Sequence, residues 1–248
     1  MIEMHPYVSE FIGTAILLLL GTGVVANVSL KKTYGENQSA LVLITTAWGF
    51  AVFVGVYISS QSSGAHLNPA VTFGLALVNK FSWNLVPGYI FAQIGGAMLG
   101  SWLAYLMYRD HYRETREEGT IRGTFCTAPA IRNYKNNLLS EAIGTFVLVF
   151  GALNIASPNI AIAGMEVENF GLGALDALPV GILVWVIGMS LGGPTGYAIN
   201  PARDFGPRLV YQLLPRKNKE ADWAYSWIPI VGPFFGAALA ALIFLYLN

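Results

Sequence analysis

Charged residues and cysteine are scarce in this chain. Only 11% of its 248 residues are charged, whereas 54% are hydrophobic. A soluble domain carries about 25% charged residues, so this composition excludes an ordinary soluble protein and indicates an integral membrane protein. The formal net charge of zero gives no reason to expect a nucleic acid as partner. The single cysteine, Cys126, excludes an intrachain disulfide.

Signals for a leader peptide, a metal site and an enzyme are also missing. Residues 1–10 contain no Lys or Arg, so they lack the basic start of a signal peptide, and we expect the first apolar segment to remain as a membrane span. His5 and His111 have no clustered partners, and His66 is expected to be a buried, packed residue, which predicts no metal site and no cofactor. No nucleophile–base arrangement is recognisable, so we expect no enzyme activity.

Long apolar segments predict six membrane-spanning helices, because a bilayer needs roughly 20 apolar residues per span. Their approximate limits are 7–28, 40–60, 84–108, 137–156, 178–191 and 224–247. The fifth segment is short, and we expect it to begin nearer Leu172. Gly and Ala recur in these segments, which favours close contacts between helices in a membrane.

One tripeptide occurs twice, as Asn68-Pro69-Ala70 and as Asn200-Pro201-Ala202. Asn is a favoured N-cap and Pro is favoured at the first helical position, so each copy predicts the start of a helix. These helices, over 68–79 and 200–214, are too short to cross a bilayer. Interrupted helices at corresponding positions of two halves point to a substrate path through the membrane.

The paired motifs resemble the signature loops of the aquaporin family. The second copy, followed by Arg203 and Asp204, resembles the glycerol-facilitator branch, and the resemblance covers nearly the whole chain. It implies an all-α membrane fold of six transmembrane helices and two half helices in an inverted repeat. The repeat halves are about 1–108 and 137–248, joined by a polar loop over 109–136 in a single channel domain. The half helices are then expected to enter from opposite faces, with their N-termini meeting near the midplane.

The resemblance also implies roles for individual residues. It implies a selectivity filter formed by Trp48, Gly188, Tyr197 and Arg203, and structural support by Glu10, Glu141 and Asp204. The two signature motifs consist of Asn68, Pro69, Ala70, Asn200, Pro201 and Ala202. The backbone carbonyls expected to line the pore are those of Gly64, Ala65, His66, Tyr197, Ala198 and Ile199. Independently, Arg203 is a costly charge at membrane depth and therefore a functional candidate. Non-helical carbonyls at that depth are expected to face water. Tyr197 departs from the Phe that the branch commonly has, which leaves the fine selectivity open.

The resemblance implies a passive channel for glycerol, related small neutral solutes and water, which excludes ions and protons. An ion- or proton-coupled transporter is the alternative, because inverted repeats build those as well; Glu10 and Glu141 would then be proton-relay groups. The expected partners are these solutes and the lipid bilayer, with no nucleic acid, and the expected assembly is a homotetramer with one pore per subunit.

The predicted location is the cell membrane, but two signals disagree about orientation. Nearly all loop Lys and Arg residues lie opposite the termini, and Lys80 is nearly alone on the side of the termini. An excess of Lys and Arg usually marks cytoplasmic loops, so this pattern would put both termini outside. The family resemblance implies that both termini are cytoplasmic, and we adopt that orientation.

Overall fold

The computed structural model describes residues 4–36, 40–155, 171–216 and 219–248. These residues form ten α-helices, and 3-10 turns at Trp83–Leu85 and Gly173–Ala177 lead into two of them. The α-helices are α1 (Pro6–Ser29), α2 (Ala40–Ser63), α3 (Pro69–Leu77), α4 (Val86–Met107), α5 (Arg109–Glu114), α6 (Glu118–Gly123), α7 (Tyr134–Leu153), α8 (Leu178–Leu191), α9 (Pro201–Leu213) and α10 (Ile228–Leu247).

Six segments are long and apolar enough to cross a membrane. They are α1, α2, α4 with its preceding 3-10 turn, α7, α8 with its preceding 3-10 turn, and α10. The fifth of these begins at Gly173, close to the expected start near Leu172. The half helices α3 and α9 have 9 and 13 residues and are too short to span a bilayer. The predicted multi-pass helical fold is therefore confirmed.

Equivalent close crossings occur in the two halves of the chain. Helix α1 packs along α4, and α7 packs along α10. A Cβ atom at Gly96 of α4 would lie 2.3 Å from the Phe11 carbonyl oxygen, and one at Gly236 of α10 would lie 2.1 Å from the Ala142 carbonyl oxygen. No side chain fits at either distance, so glycine at both positions permits the same helix contact twice.

Each half helix packs on a helix of the opposite half. Helix α3, from the first half, lies mainly against α10, and α9, from the second half, lies mainly against α4. Helices α2 and α8 also pack together across the boundary between the halves. The two halves thus interlock, and the non-helical segments that precede α3 and α9 lie between them.

The connection between the halves is more ordered than the predicted polar loop. It contains the short helices α5 and α6, and its apolar residues Tyr112, Ile121 and Phe125 are buried together with Val210 and Tyr211. Charged residues surround these few apolar positions in sequence and obscured them in the composition of the segment. The connection consequently covers one end of α9.

Candidate conduction pathway

The half helices α3 and α9 begin in the same way. Asn68 and Asn200 both have extended backbones and act as N-caps. The side-chain oxygen of Asn68 accepts from the Ala70 N–H at 2.9 Å, and that of Asn200 accepts from the Ala202 N–H at 3.0 Å. Proline follows each cap and needs no hydrogen-bond partner for its nitrogen. The caps therefore fix the orientation of both amide groups.

The two capping amides also join the halves of the chain. The Asn68 amide nitrogen donates to the Ile199 carbonyl at 2.8 Å, and the Asn200 amide nitrogen donates to the Leu67 carbonyl at 2.9 Å. An amide NH2 has two hydrogens, so one N–H of each asparagine remains for another acceptor. The N-termini of α3 and α9 are thereby brought together, and each carries about half a positive charge.

The segments before the half helices share an unusual backbone. Left-handed φ angles occur at Gly64, Ala65 and Leu67, and again at Gly196, Tyr197 and Ile199. Such angles are uncommon for residues other than glycine, and a β-branched isoleucine with φ of 43° is an outlier. A strained conformation of this kind costs about 1–3 kcal/mol per residue and tends to mark functional sites.

This backbone leaves a row of carbonyl groups available. Within the described part of the chain, no donor reaches the carbonyl oxygens of Gly64, Ala65, His66, Tyr197 and Ala198. The Ile199 carbonyl, which the sequence placed in the same row, differs because it accepts from Asn68. Carbonyls without protein donors at membrane depth need a polar partner, so the row requires water or a permeating solute.

A buried glutamate holds each strained segment. The Glu10 carboxylate accepts from the backbone N–H groups of His66 and Leu67 at 2.8 and 2.7 Å. The Glu141 carboxylate accepts from those of Ala198 and Ile199 at 3.0 and 2.8 Å. Both glutamates are essentially inaccessible to solvent. These paired bonds offset the local strain, because a charged acceptor forms the stronger kind of hydrogen bond.

Glu10 also belongs to a buried polar network in the first half. The Gln93 amide donates to Glu10 at 2.8 Å and to the Thr72 hydroxyl at 2.9 Å. The His66 ring contacts that hydroxyl at 3.1 Å and packs against Phe81. Among the described residues, no group of three or more potential metal ligands is found.

Trp48, Tyr197 and Arg203 surround a narrow cavity. It has a volume of about 40 Å³ and is lined also by Ala198 and Asn200. The Arg203 guanidinium carbon lies 4.4 Å from the centroid of the Trp48 ring, within cation–π range. One guanidinium nitrogen donates to the Phe125 carbonyl at 3.3 Å. The cavity thus has aromatic rings and a guanidinium in its walls, together with the aliphatic side chains of Leu17, Val52 and Val184.

The room beside Gly188 is occupied by the Tyr197 ring. A Cβ atom at Gly188 would lie 2.7 Å from Tyr197 Cζ and 2.9 Å from its hydroxyl oxygen. Gly188 does not itself line the cavity, so it contributes by accommodating the ring. The Tyr197 hydroxyl is buried and has no hydrogen-bond partner among the described residues.

Asp204 and Arg208 form a buried ion pair that holds the loops around Arg203. Asp204 accepts from the backbone N–H and the hydroxyl of Thr127, both at 2.7 Å. Arg208 donates to Asp204 at 2.8 Å, to the Thr127 carbonyl at 2.9 Å and to the Asp222 carbonyl at 3.2 Å. It also donates to the Ala221 carbonyl. The segment from Phe125 to Thr127, which contacts Arg203, is therefore fixed to α9.

Arg208 was missed by the sequence-based prediction. A signal was present, because Arg208 follows Asp204 by one helical turn, and such residues face the same side of a helix. The side chain of Arg208 is completely buried. A buried charge must be paired, so the spacing already pointed to this ion pair.

A protein family and several known proteins are similar to this chain over nearly its whole length. The model of the Major intrinsic protein family matches residues 2–244. The "Probable glycerol uptake facilitator protein" of Thermotoga maritima is 52% identical over 245 residues, covering 98% of this chain and 100% of the relative. The "Glycerol uptake facilitator protein" of Streptococcus pneumoniae is 49% identical over 242 residues, covering 97% and 98%. The aquaglyceroporin from Plasmodium falciparum has a similar solved structure, with a TM-score of 0.82 and 31% identity over 96% of this chain and 94% of that one.

Proposed function

The chain belongs to the major intrinsic protein family, and on that premise we propose that it is a passive membrane channel for glycerol. Related small neutral solutes and water use the same path, and ions and protons are excluded. The observation that carries the proposal is the cavity between Trp48, Tyr197 and Arg203, next to a row of carbonyls without protein donors. Such a path offers hydrogen-bonding groups to the hydroxyls of a small polyol and apolar surface to its C–H groups.

Solute selection resides at the constriction formed by these residues. The Trp48 and Tyr197 rings offer apolar surface to C–H groups, while Arg203 offers donors and the Tyr197 and Ala198 carbonyls offer acceptors. A hydroxyl that loses water without a replacement costs about 1–3 kcal/mol. The constriction therefore favours molecules whose hydroxyls lie along one edge. Gly188 acts indirectly, since it leaves space for the Tyr197 ring.

Cations and protons are excluded by positive charge at two levels. Arg203 carries a full charge at the constriction, and the N-termini of α3 and α9 together present partial charges between the asparagines. A water bound to the free amide N–H groups of Asn68 and Asn200 donates away from them on both sides. This orientation interrupts a chain of proton transfers, as in aquaporin-type pores generally.

A coupled transporter is the weaker alternative, because the buried acids already have structural partners. Glu10 and Glu141 each accept two backbone N–H groups of the strained segments, and Asp204 pairs with Arg208. Protonation of either glutamate would weaken the bonds that hold the path open. The named relatives are facilitators, so we propose no enzyme activity.

We further propose that the protein lies in the cell membrane as a homotetramer with one pore per subunit. Both termini are cytoplasmic, as in the family, and the chain forms a single channel domain. Acidic residues accompany the Lys and Arg residues of the opposite loops; for example, Arg113 pairs with Asp110 and Arg216 pairs with Glu118. The proposed orientation follows the family, and it places the loops that carry most of the Lys and Arg residues outside the cell.

Flux measurements on proteoliposomes test the proposal. Stopped-flow light scattering should show glycerol and water fluxes with a low activation energy, and neither a proton nor a sodium gradient should drive accumulation of glycerol. Empty vesicles provide the control. Uphill accumulation under either gradient would establish the coupled transporter instead.

A further inference from the structure

A groove lies on the outer surface between the last turns of α4 and α9. It has a volume of about 520 Å³, and its walls include Trp102, Leu106 and Arg109 on one side and Leu213 and Pro215 on the other. It lies beside the end of α9 at Leu213 and the last turns of α4. The walls are accessible: Leu213 is 73% exposed and Trp102 is 45% exposed.

The groove runs at the depth where the apolar span ends. Met107 is the last residue of the α4 span, so Trp102 and Leu106 lie within the hydrocarbon region and Arg109 lies at its boundary. Trp and Tyr side chains favour this boundary, and Tyr105 also lines the groove. An apolar groove at this level therefore faces the lipid chains of a bilayer.

Arg109 differs from the other arginines near the groove. Arg113 on the same short helix pairs with Asp110 at 2.9 Å, and Arg216 beyond α9 pairs with Glu118 at 2.8 Å. Arg109 is exposed and has no ion pair or hydrogen bond with any residue of the described ranges. An unpaired guanidinium therefore stands at the polar end of an apolar groove.

We propose that this groove binds one phospholipid with an acidic headgroup. One acyl chain lies against Trp102, Leu106 and Leu213, and the headgroup phosphate accepts from Arg109. A planar guanidinium binds a phosphate through two parallel hydrogen bonds. A headgroup without a cation of its own is favoured over a zwitterionic one, because no ammonium group then neutralises the phosphate or repels Arg109. Arg109 thus determines which headgroup binds, while the apolar walls of the groove bind the acyl chain. This inference does not depend on the proposed solute.

Native mass spectrometry of the delipidated protein tests headgroup selection. Phosphatidylglycerol and phosphatidylcholine with identical chains are titrated onto the parent protein, Arg109→Gln and the matched control Arg113→Gln, which removes one positive charge from the same helix. Loss of a charge-assisted hydrogen bond corresponds to at least about tenfold weaker binding. We expect this loss for phosphatidylglycerol in Arg109→Gln alone. Equal affinities in the two variants, or equal affinities for the two lipids in the parent, would overturn the proposal.

Fluorescence quenching locates the acyl chain. Phosphatidylglycerol brominated on one chain should quench part of the tryptophan emission, and the quenched part should be lost in Trp102→Phe. Quenching that is unchanged in Trp102→Phe would overturn the placement in the groove. If quenching of Trp102 is absent and emission instead depends on protein concentration, a second copy of the chain covers the groove, and the lipid site is refuted. A circular-dichroism spectrum and a melting temperature that match those of the parent verify that each variant is folded.

Discussion

Replacing Arg208 by methionine should both destabilise the protein and impair its ion exclusion. Methionine keeps the unbranched apolar stem of the side chain but removes the guanidinium with all five donors. The Asp204 carboxylate then loses its buried counter-ion, and the carbonyls of Thr127, Ala221 and Asp222 lose a donor. Removing one partner of a buried ion pair costs about 3–5 kcal/mol.

The size of this effect can be expressed as a melting temperature. For chains of this size, 1 kcal/mol shifts the midpoint by about 2–4 °C, so the expected loss is about 6–20 °C. Thermal unfolding in detergent, followed by tryptophan fluorescence, measures it. Arg113→Met is the matched control, because its ion pair with Asp110 is highly exposed and such pairs contribute little.

A transport measurement distinguishes loop positioning from simple destabilisation. Arg208 fixes the segment that supplies the Phe125 carbonyl to Arg203. Below its melting temperature, Arg208→Met in proteoliposomes should therefore leak protons while Arg113→Met does not, and Arg208→Lys should restore part of the stability but less of the exclusion, since lysine lacks the planar fork. A midpoint within about 2 °C of the parent together with an unchanged proton flux would refute this reasoning.

Further predictions concern the constriction and the cysteine. Arg203→Val should insert and fold but admit protons or cations, and ion fluxes no higher than the parent's together with an unchanged solute range would contradict the filter assignment. Gly188→His should nearly abolish glycerol flux while water flux persists, because even a Cβ there lies 2.7 Å from the Tyr197 ring; unchanged glycerol flux in stopped-flow assays would place the constriction elsewhere. Tyr197→Phe should keep glycerol flux and change the ranking of glycerol, urea and other small neutral solutes, and an identical ranking would show that the hydroxyl has no part in selection. Burial raises the pKa of the Cys126 thiol to about 12, so a maleimide at pH 8 should label it only after denaturation in SDS, and rapid labelling of the native protein would contradict its burial.

The half helices could be predicted because their signals are local. Asn and Pro at a helix start satisfy the first turn by themselves, so the starts of α3 and α9 follow from the tripeptides. The apolar spans are equally visible, because the bilayer fixes their length. The sequence predicted a supporting role for Glu10 and Glu141 from their repeated context and from the family resemblance. Both carboxylates accept hydrogen bonds from backbone N–H groups of the strained segments.

Other features depended on contacts between distant residues. Leu67 and Ile199 have no intrinsic preference for a left-handed backbone, and tertiary hydrogen bonds from their N–H groups to the glutamates hold them in it. The Tyr197 ring occupies the room beside Gly188 because the segment before α9 turns toward α8. The burial of Tyr112, Ile121 and Phe125 in the connection between the halves could not be predicted from composition, because these residues are isolated among charged residues.

The reciprocal bonds of the two asparagines have a consequence for biosynthesis. They join residues 131 and 133 positions apart, so the N-termini of the two half helices cannot be joined to each other until both halves have entered the membrane. Contacts of such long range form late, because chain closure must precede them. A chain that ends before Ile199 and Asn200 therefore cannot form the junction between the two half helices.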